Sequence, residues 1–290
     1  MINLSAYFDQ MVVILPQFSQ ITVTPFKEGF SNNVYRLDWD GLPQLVLRVP
    51  ALDEKAFFIN RASELLVLSS ASQAMLSPEL LWQNEEGAFA SRFVAQPSFE
   101  WSVVHTSDDI DRIAKALMAT HQLPVVERHY CVYDLITHYL TEIYRFLTTR
   151  PELVEEYRYL NFQLASLERA SVSVTPVLCH NDVNPKNILM DDQYLWLIDW
   201  ECSGMGDPLF DLAVVTQSHN LNPSQRIELI SAYQPSLDIE DTLWRIELYC
   251  LAYSLREMTW LLLKHLTTPD DPDALSGYFE FKASSSLNPF

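Results

Sequence analysis

The sequence predicts an α+β chain in two unequal parts, strand-rich at the N-terminus and helical after it. Three observations carry this. The first 95 residues hold about five short strand-like runs with turn residues between them. Beyond residue 100 the apolar residues fall mostly at helical spacing. One stretch, 177–198, interrupts that spacing with short apolar runs. At 290 residues the chain is long for one simple core and ordinary for one two-lobed unit.

Residues 4–15 (LSAYFDQMVVIL) have helical spacing and end at Pro16. Strands are predicted at 21–26, 33–39 and 44–49, with Asp40-Gly41 and Pro43 marking the turn between the last two. A helix follows at 56–73, then strands at 79–83 and 88–94 around the turn NEEG. Strand character gives way to helix near 93–99, which divides the chain into 1–95 and 96–290. The second part predicts helices at 107–122, 133–148, 152–170, 209–218, 223–233 and 239–266. Between them lie strands at 176–180, 188–190 and 194–198, the last two joined through Asp191-Asp192-Gln193. No internal repeat or low-complexity tract is present.

Hydrophobic residues make up 48% of the chain, a globular composition. Lys and Arg number 19 against 38 Asp and Glu, a formal net charge of −19. So few cations argue against a nucleic-acid face and against binding to anionic membranes. The acidity serves solubility, or it attracts a cationic substrate. No Lys or Arg precedes Lys27, so the N-terminus has neither a basic signal-peptide region nor an Arg-rich transit face. The most apolar long run, 248–266, is broken by Arg256, Glu257 and Lys264. Cys131, Cys179, Cys202 and Cys250 are far apart and form no C-x-x-C pair, which predicts free thiols and a cytoplasmic protein.

The chemistry concentrates in HNDVNPKN (180–187) and IDWE (198–201). Asp182 follows a short apolar strand, so its carboxylate belongs on a loop at the strand's end. A hairpin through 188–198 brings Asn187 and Asp199 side by side. An amide oxygen and a carboxylate are hard ligands suited to Mg²⁺ carrying nucleotide phosphates. Asp182 is then free to accept a proton, the division of labour of phosphoryl transfer. His180 is expected to brace the loop by hydrogen bonding. A polar loop with a capping Asp would account for either motif alone; the two at this distance, across a strand–turn–strand pattern, point to catalysis.

Together with SGMGDPLFDLA (203–213), these motifs resemble the choline/ethanolamine kinase branch of the aminoglycoside phosphotransferase superfamily. The resemblance implies a bilobal protein-kinase-like fold, with an antiparallel N-lobe sheet plus helix and a mostly helical C-lobe. It implies ATP and Mg²⁺ as cofactors. Gly204 and Gly206 would form a turn before a helix whose Asp211 faces back toward the loop, and Asp207 and Asp211 would act mostly as helix N-terminal charges. EGFSNNVYRL (28–37) is similar to the family's nucleotide loop, with Gly29 in the tight turn and Ser31 and Asn32 facing phosphate. As a bare pattern it is equally a plain β-turn. Arg48 stands where protein kinases carry a strand Lys, and Glu64, on the following helix, is its expected partner. Arg61 reads as a surface charge. Phe93 and Ala95 fall on the hinge that would meet adenine; the family often has Glu-Gly where Ala95-Gln96 stand here.

For the acceptor, the resemblance points to Trp200, Glu201 and the late-helix residues Tyr253, Glu257 and Trp260. Tyr253 and Trp260 could hold a cation against their rings, although aromatics at this spacing are also ordinary core. Arg256 on the same face opposes such a cage unless it pairs with Glu257 or a loop carboxylate. The expected function is transfer of the γ-phosphate of ATP to a cationic primary alcohol, choline or ethanolamine first. Thiamine, an aminoglycoside, or non-catalytic nucleotide binding are the alternatives. The expected partner is a small molecule, with no nucleic acid and no membrane, on a monomer or homodimer. No G-x-G-x-x-G, D-F-G or A-P-E set is present, which argues against a protein kinase.

Overall fold

The computed structural model describes residues 3–26, 31–170, 175–268 and 273–284. Gly29 lies outside the described residues. Helix α1 (Ser5–Gln10) stops short of the predicted 4–15. The adjacent β-branched pair Val12-Val13 follows it, both exposed, and disfavours another helical turn.

Strands β1 (Thr22–Pro25), β2 (Asn32–Trp39) and β3 (Leu42–Pro50) pair antiparallel, with Asp40-Gly41 closing the β2–β3 hairpin. Helix α2 (Arg61–Gln73) comes next, then β4 (Leu80–Gln83) and β5 (Phe89–Arg92). The sheet order is β1-β2-β3-β5-β4, antiparallel throughout. A small core of Met11, Leu37, Leu45, Leu47, Val49 and Ala90 lies on one side of it.

Helix α2 begins at Arg61, not at residue 56. Two local side chains decide this. Asp53 Oδ1 accepts from the Lys55 and Ala56 amides, folding 53–56 into a turn. Asn60 Oδ1 accepts from Ser63 N at 2.9 Å, the N-cap that starts the helix.

The C-terminal part holds α3 (Ser107–Thr120), α4 (Val132–Tyr144) and α5 (Val154–Ser166). Short strands β6 (Val177–Cys179), β7 (Ile188–Met190), β8 (Leu195–Leu197) and β9 (Gly204–Gly206) follow. Then come α6 (Pro208–Ser218), α7 (Pro223–Tyr233), α8 (Ile239–Thr267) and α9 (Asp273–Ser284). The 29-residue α8 is the spine against which α4, α5, α6, α7 and α9 pack. Helix α9 escapes the sequence reading; it seats the fully buried Tyr278, whose hydroxyl donates to Glu156 at 2.5 Å.

The predicted turn at Gly204 and Gly206 is instead strand β9, paired with β6. The glycines serve close approach: a Cβ on Gly204 would stand 3.1 Å from the Arg128 carbonyl oxygen, and one on Gly206 3.2 Å from that of Tyr130.

The connector after β5 runs along the β7–β8 hairpin. Met190 N donates to Pro97 O at 3.0 Å and Phe99 N to Pro185 O at 3.1 Å. The four cysteines are unpaired, as expected. Among the described residues no helix is long and apolar enough to cross a membrane.

Candidate active site

The loop 180–187 is held open from beneath. Asp211, on the first turn of α6, is fully buried, and its two oxygens accept from His180 N (2.9 Å) and Asn181 N (2.6 Å). His121 Nε2 lies 3.0 Å from the same carboxylate. Asp211 therefore does more than charge a helix end: it fixes the backbone from which Asp182 projects. Asp207 caps α6 through Leu209 N and also accepts from Tyr249 Oη at 3.0 Å. Asn181 adopts φ 65°, a left-handed conformation that costs a non-glycine residue about 1 kcal/mol or more. Its amide donates to Cys179 O and Cys202 O, which holds it there.

Asp182 is engaged on both oxygens. Oδ2 accepts from Asn187 Nδ2 at 2.9 Å and Asn184 Nδ2 at 3.3 Å. Oδ1 accepts from Arg256 Nη2 at 2.6 Å. Arg256 is buried, and its donors are all committed: to Asp182, to Glu257 Oε1 from Nε and Nη2, and to Asn181 O and the Tyr130 hydroxyl from Nη1. The pairing with Glu257 and a loop carboxylate, named in the sequence as the condition that would relieve its conflict with a cation cage, is present. Arg256 is the strut between α8 and the loop.

The hairpin brings Asn187 and Asp199 together as expected. Asn187 O accepts from Ile198 N at 3.0 Å, and the register pairs Ile188 with Leu197. Asn187 spends its amide nitrogen on Asp182, which leaves the amide oxygen for another partner. Asp199 takes φ 64°, again left-handed. Its Oδ1 is buried without a hydrogen-bond donor, in a carboxylate group with Glu64 and Glu201. That burial, with Glu201 beside it, pushes the Asp199 carboxyl well above the usual range. His180 braces the two segments: its Nε2 donates to Ile198 O at 3.0 Å and its ring packs on Trp200. Burial lowers its pKa, so it stands neutral.

Arg48 and Glu64 form the predicted ion pair, both buried. Burial works against the Arg48 charge, but Glu64, Asp199 and Glu201 outweigh it and hold its pKa above the ordinary value. Glu64 is held below its ordinary value because Arg48 and Arg61 outweigh its burial. Arg61 is not a surface charge. It is buried, with Nη1 2.7 Å from Glu64 Oε2 and 3.1 Å from Glu201 Oε2. The i, i+3 spacing of Arg61 and Glu64 on one helical turn was the available signal. Asn32, expected at phosphate, points inward and donates to Glu201 Oε2 at 3.0 Å. Ser31, half-buried, borders the undescribed 27–30. Phe93 has its amide committed to Gln44 O at 2.9 Å, and Ala95 is exposed.

The acceptor residues are the least well matched. Trp200 is 1% exposed and Tyr253 2%, so neither ring faces an open pocket. Trp200 turns into the core after the left-handed Asp199. Tyr253 carries the Arg256 guanidinium on its face, 5.0 Å from the ring centroid. Glu201 belongs to the arginine cluster. Trp260 is half-buried, edge-on to Phe57, with Lys264 Nζ 5.4 Å from its ring centroid. Glu257 stays partly exposed on its ion pair with Arg256.

A histidine pair supports the loop from the far side. His219 Nε2 donates to Val183 O at 3.1 Å, and its Nδ1 meets His105 Nε2 at 2.8 Å. Phe99 packs on both rings. Burial, then the neighbouring His105, lowers the His219 pKa to about 3; burial lowers that of His105 as well. The unfolded chain takes up these protons near pH 6.5 and the folded chain only at lower pH. Their stabilisation is complete above about pH 6.5 and is lost as the pH falls, by up to about 1.4 kcal/mol per unit per imidazole. Melting temperatures of wild type and His219→Gln should therefore converge between pH 6.5 and 5; parallel curves would remove the pair from the acid response.

A sequence model described as the phosphotransferase enzyme family matches residues 22–245. The chain belongs to that family. Similar sequences include Protein LicA of Haemophilus influenzae, 44% identical over 55 residues, or 19% of this chain and 21% of the relative. Probable choline kinase 1 of Arabidopsis thaliana is 21% identical over 215 residues, 69% of this chain and 60% of the relative. The matched segments thus span less than two thirds of these curated relatives. In fold, this phosphotransferase family member is similar to choline kinase LicA from Streptococcus pneumoniae, with TM-score 0.70, 19% identity and 96% of each chain covered. The antiparallel sheet lobe and helical lobe are those of the protein-kinase-like fold.

Proposed function

We propose that this protein is a small-molecule kinase that transfers the γ-phosphate of ATP to a primary alcohol, with choline or ethanolamine the first choice. One observation carries the reading: Asp182, Asn187 and Asp199 lie on two hydrogen-bonded turns, and the Arg48–Glu64 pair reaches them, with Arg48 Nη1 3.9 Å from Asp199 Oδ1. In this reading residues 1–95 hold the nucleotide and 96–290 carry the catalytic and acceptor groups. Asp182 takes the hydroxyl proton and Arg48 meets phosphate oxygens. Arg256 and Asn187 fix the Asp182 carboxylate.

The residues fit a divalent cation. Asp199 Oδ1 lacks a donor, and the carboxylates of Glu64, Asp199 and Glu201 outnumber the guanidiniums of Arg48 and Arg61. Asn187 and Asp199 would hold Mg²⁺, which when bound neutralises the phosphates. Asp199→Ala is expected to weaken Mg·ATP binding by about a hundredfold or more, since losing even an outer-shell partner of a metal ligand costs about ten- to a hundredfold. Unchanged calorimetric affinity would sink the assignment.

The choice of acceptor is supported by the similarity to proteins named choline kinase and by local charge. Asp182 and Glu257 together exceed Arg256 by one negative charge, which suits a cationic group beside the base. An ATP-consumption screen with choline, ethanolamine, thiamine and aminoglycosides tests this. Turnover should require Mg²⁺ and be fastest with choline or ethanolamine; faster turnover with thiamine, an aminoglycoside or a neutral alcohol would replace the acceptor.

A further inference from the structure

Arg48 and Arg61 share three acceptors, and Arg48 Nη1 alone also donates to Glu64 Oε1. Arg48 Nη2 lies 3.3 Å from Asn32 Oδ1, 3.2 Å from Glu64 Oε2 and 3.2 Å from Glu201 Oε2. Arg61 Nη1 lies 2.7 Å from Glu64 Oε2 and 3.1 Å from Glu201 Oε2, and its Nη2 lies 3.3 Å from Asn32 Oδ1. Such duplication is costly in a site this buried, where each charged donor group must be desolvated. The two arginines differ in what else holds them. Arg48 Nε is buried without a partner, and only Arg48 approaches Asp199. Arg61 is anchored outside the cluster: its Nε donates to Glu54 at 3.3 Å. Its stem is roofed by Gly87 in the β4–β5 turn. A Cβ there would stand 2.7 Å from Arg61 Cγ and Cδ, and φ is +83°.

We propose that Arg61 is a positioning residue for nucleotide binding: it keeps Glu64, Glu201 and Asn32 hydrogen-bonded while Arg48 turns its guanidinium onto the phosphates. The inference rests on the nucleotide reading above. One guanidinium cannot serve phosphate and three inward acceptors at once. Without a second donor, each contact Arg48 gives up would leave a buried carboxylate or amide unsatisfied, and that cost would be subtracted from affinity. Arg61 already donates to the three shared acceptors, so only Glu64 Oε1 depends on Arg48 alone, and Glu54 and Gly87 stop Arg61 from following Arg48. A lysine could not replace it, because an ammonium lacks the planar fork that spans acceptors on β2, α2 and the segment after β8.

Calorimetry of Mg·ATP binding to the full chain tests the hand-over, with melting curves to verify that each variant is folded. Arg61→Met should weaken binding by about tenfold or more. Arg61→Lys should recover only part of the loss. Arg61→Met with Glu201→Gln should recover part of it, because removing one carboxylate lowers the need for a second cation while Glu64 and Asn32 still lose a donor. Gly87→Ala, which leaves every charge in place but displaces the Arg61 stem, should weaken binding in the same direction. If Arg61→Met does not fold, Arg61→Lys and Gly87→Ala decide. Wild-type affinity in the folded Arg61 and Gly87 variants would overturn the hand-over and leave the nucleotide reading intact. A wild-type protein that binds no Mg·ATP would overturn both.

Discussion

Asp182→Asn should lower kcat by about a thousandfold, within the range general-base removal produces, while Mg·ATP affinity stays near wild type. In the proposed reading the carboxylate serves the acceptor hydroxyl, and its hydrogen bonds go to Arg256, Asn184 and Asn187 rather than to Arg48, Glu64 or Asp199. The substitution has one local consequence. An amide at 182 can accept from Arg256 with its oxygen, but its nitrogen then faces the Asn187 and Asn184 nitrogens, which are donors too. A small drop in melting temperature should therefore accompany the loss of turnover. Steady-state kinetics and calorimetry on the same preparation separate the two. A kcat within tenfold of wild type would remove Asp182 from the chemistry.

Asp211→Ala should damage both stability and turnover, although Asp211 touches no reacting group. It leaves the His180 and Asn181 amides buried without acceptors and strips His121 of its carboxylate. Unpaired buried groups of this kind cost about 1–3 kcal/mol each, so a loss of about 3–5 kcal/mol is expected. For a chain of this size that is a fall in Tm of about 10 °C. The left-handed Asn181 would lose part of what holds it, so the folded fraction should also turn over slowly. Asp211→Asn, which keeps one acceptor oxygen, should fall between. A Tm within about 2 °C of wild type would return Asp211 to the role of a helix-end charge.

These expectations divide according to how local their sequence signals are. The proximity of Asp182, Asn187 and Asp199 was legible because a strand, a loop and a hairpin of neighbouring residues set their relation. The Arg48–Glu64 pair was legible through strand-to-helix order. Helices 223–233 and 239–266 appear almost at their predicted bounds because Asn222 and Asp238 cap them. Arg61 was misjudged because a charged side chain reads as surface unless its partners are known, and one of its partners is as distant as Glu201. The partners of Arg256 were named as a condition because Glu257 is its neighbour in the chain. Trp200 and Tyr253 erred the other way: aromatic spacing marks a buried face and does not say whether a ligand or the core buries it. Helix α9 went unseen because its value lies in covering α8, a fact of tertiary packing.

The placement of α2 bears on how the molecule holds together. By position in the chain it belongs with the sheet, yet Leu65, Val67, Leu68 and Ala71 sit in the large core with Ile113, Leu117 and Leu212. The stretch after it is also tied across, with Leu197 N donating to Leu76 O at 2.7 Å. A fragment ending near residue 95 would carry that apolar face bare to solvent, and the remainder would keep a trench where the helix had been. Neither piece is a self-sufficient folding unit. The chain should melt in one cooperative step, and its two fragments, if expressed apart, should be insoluble singly and regain solubility when made together.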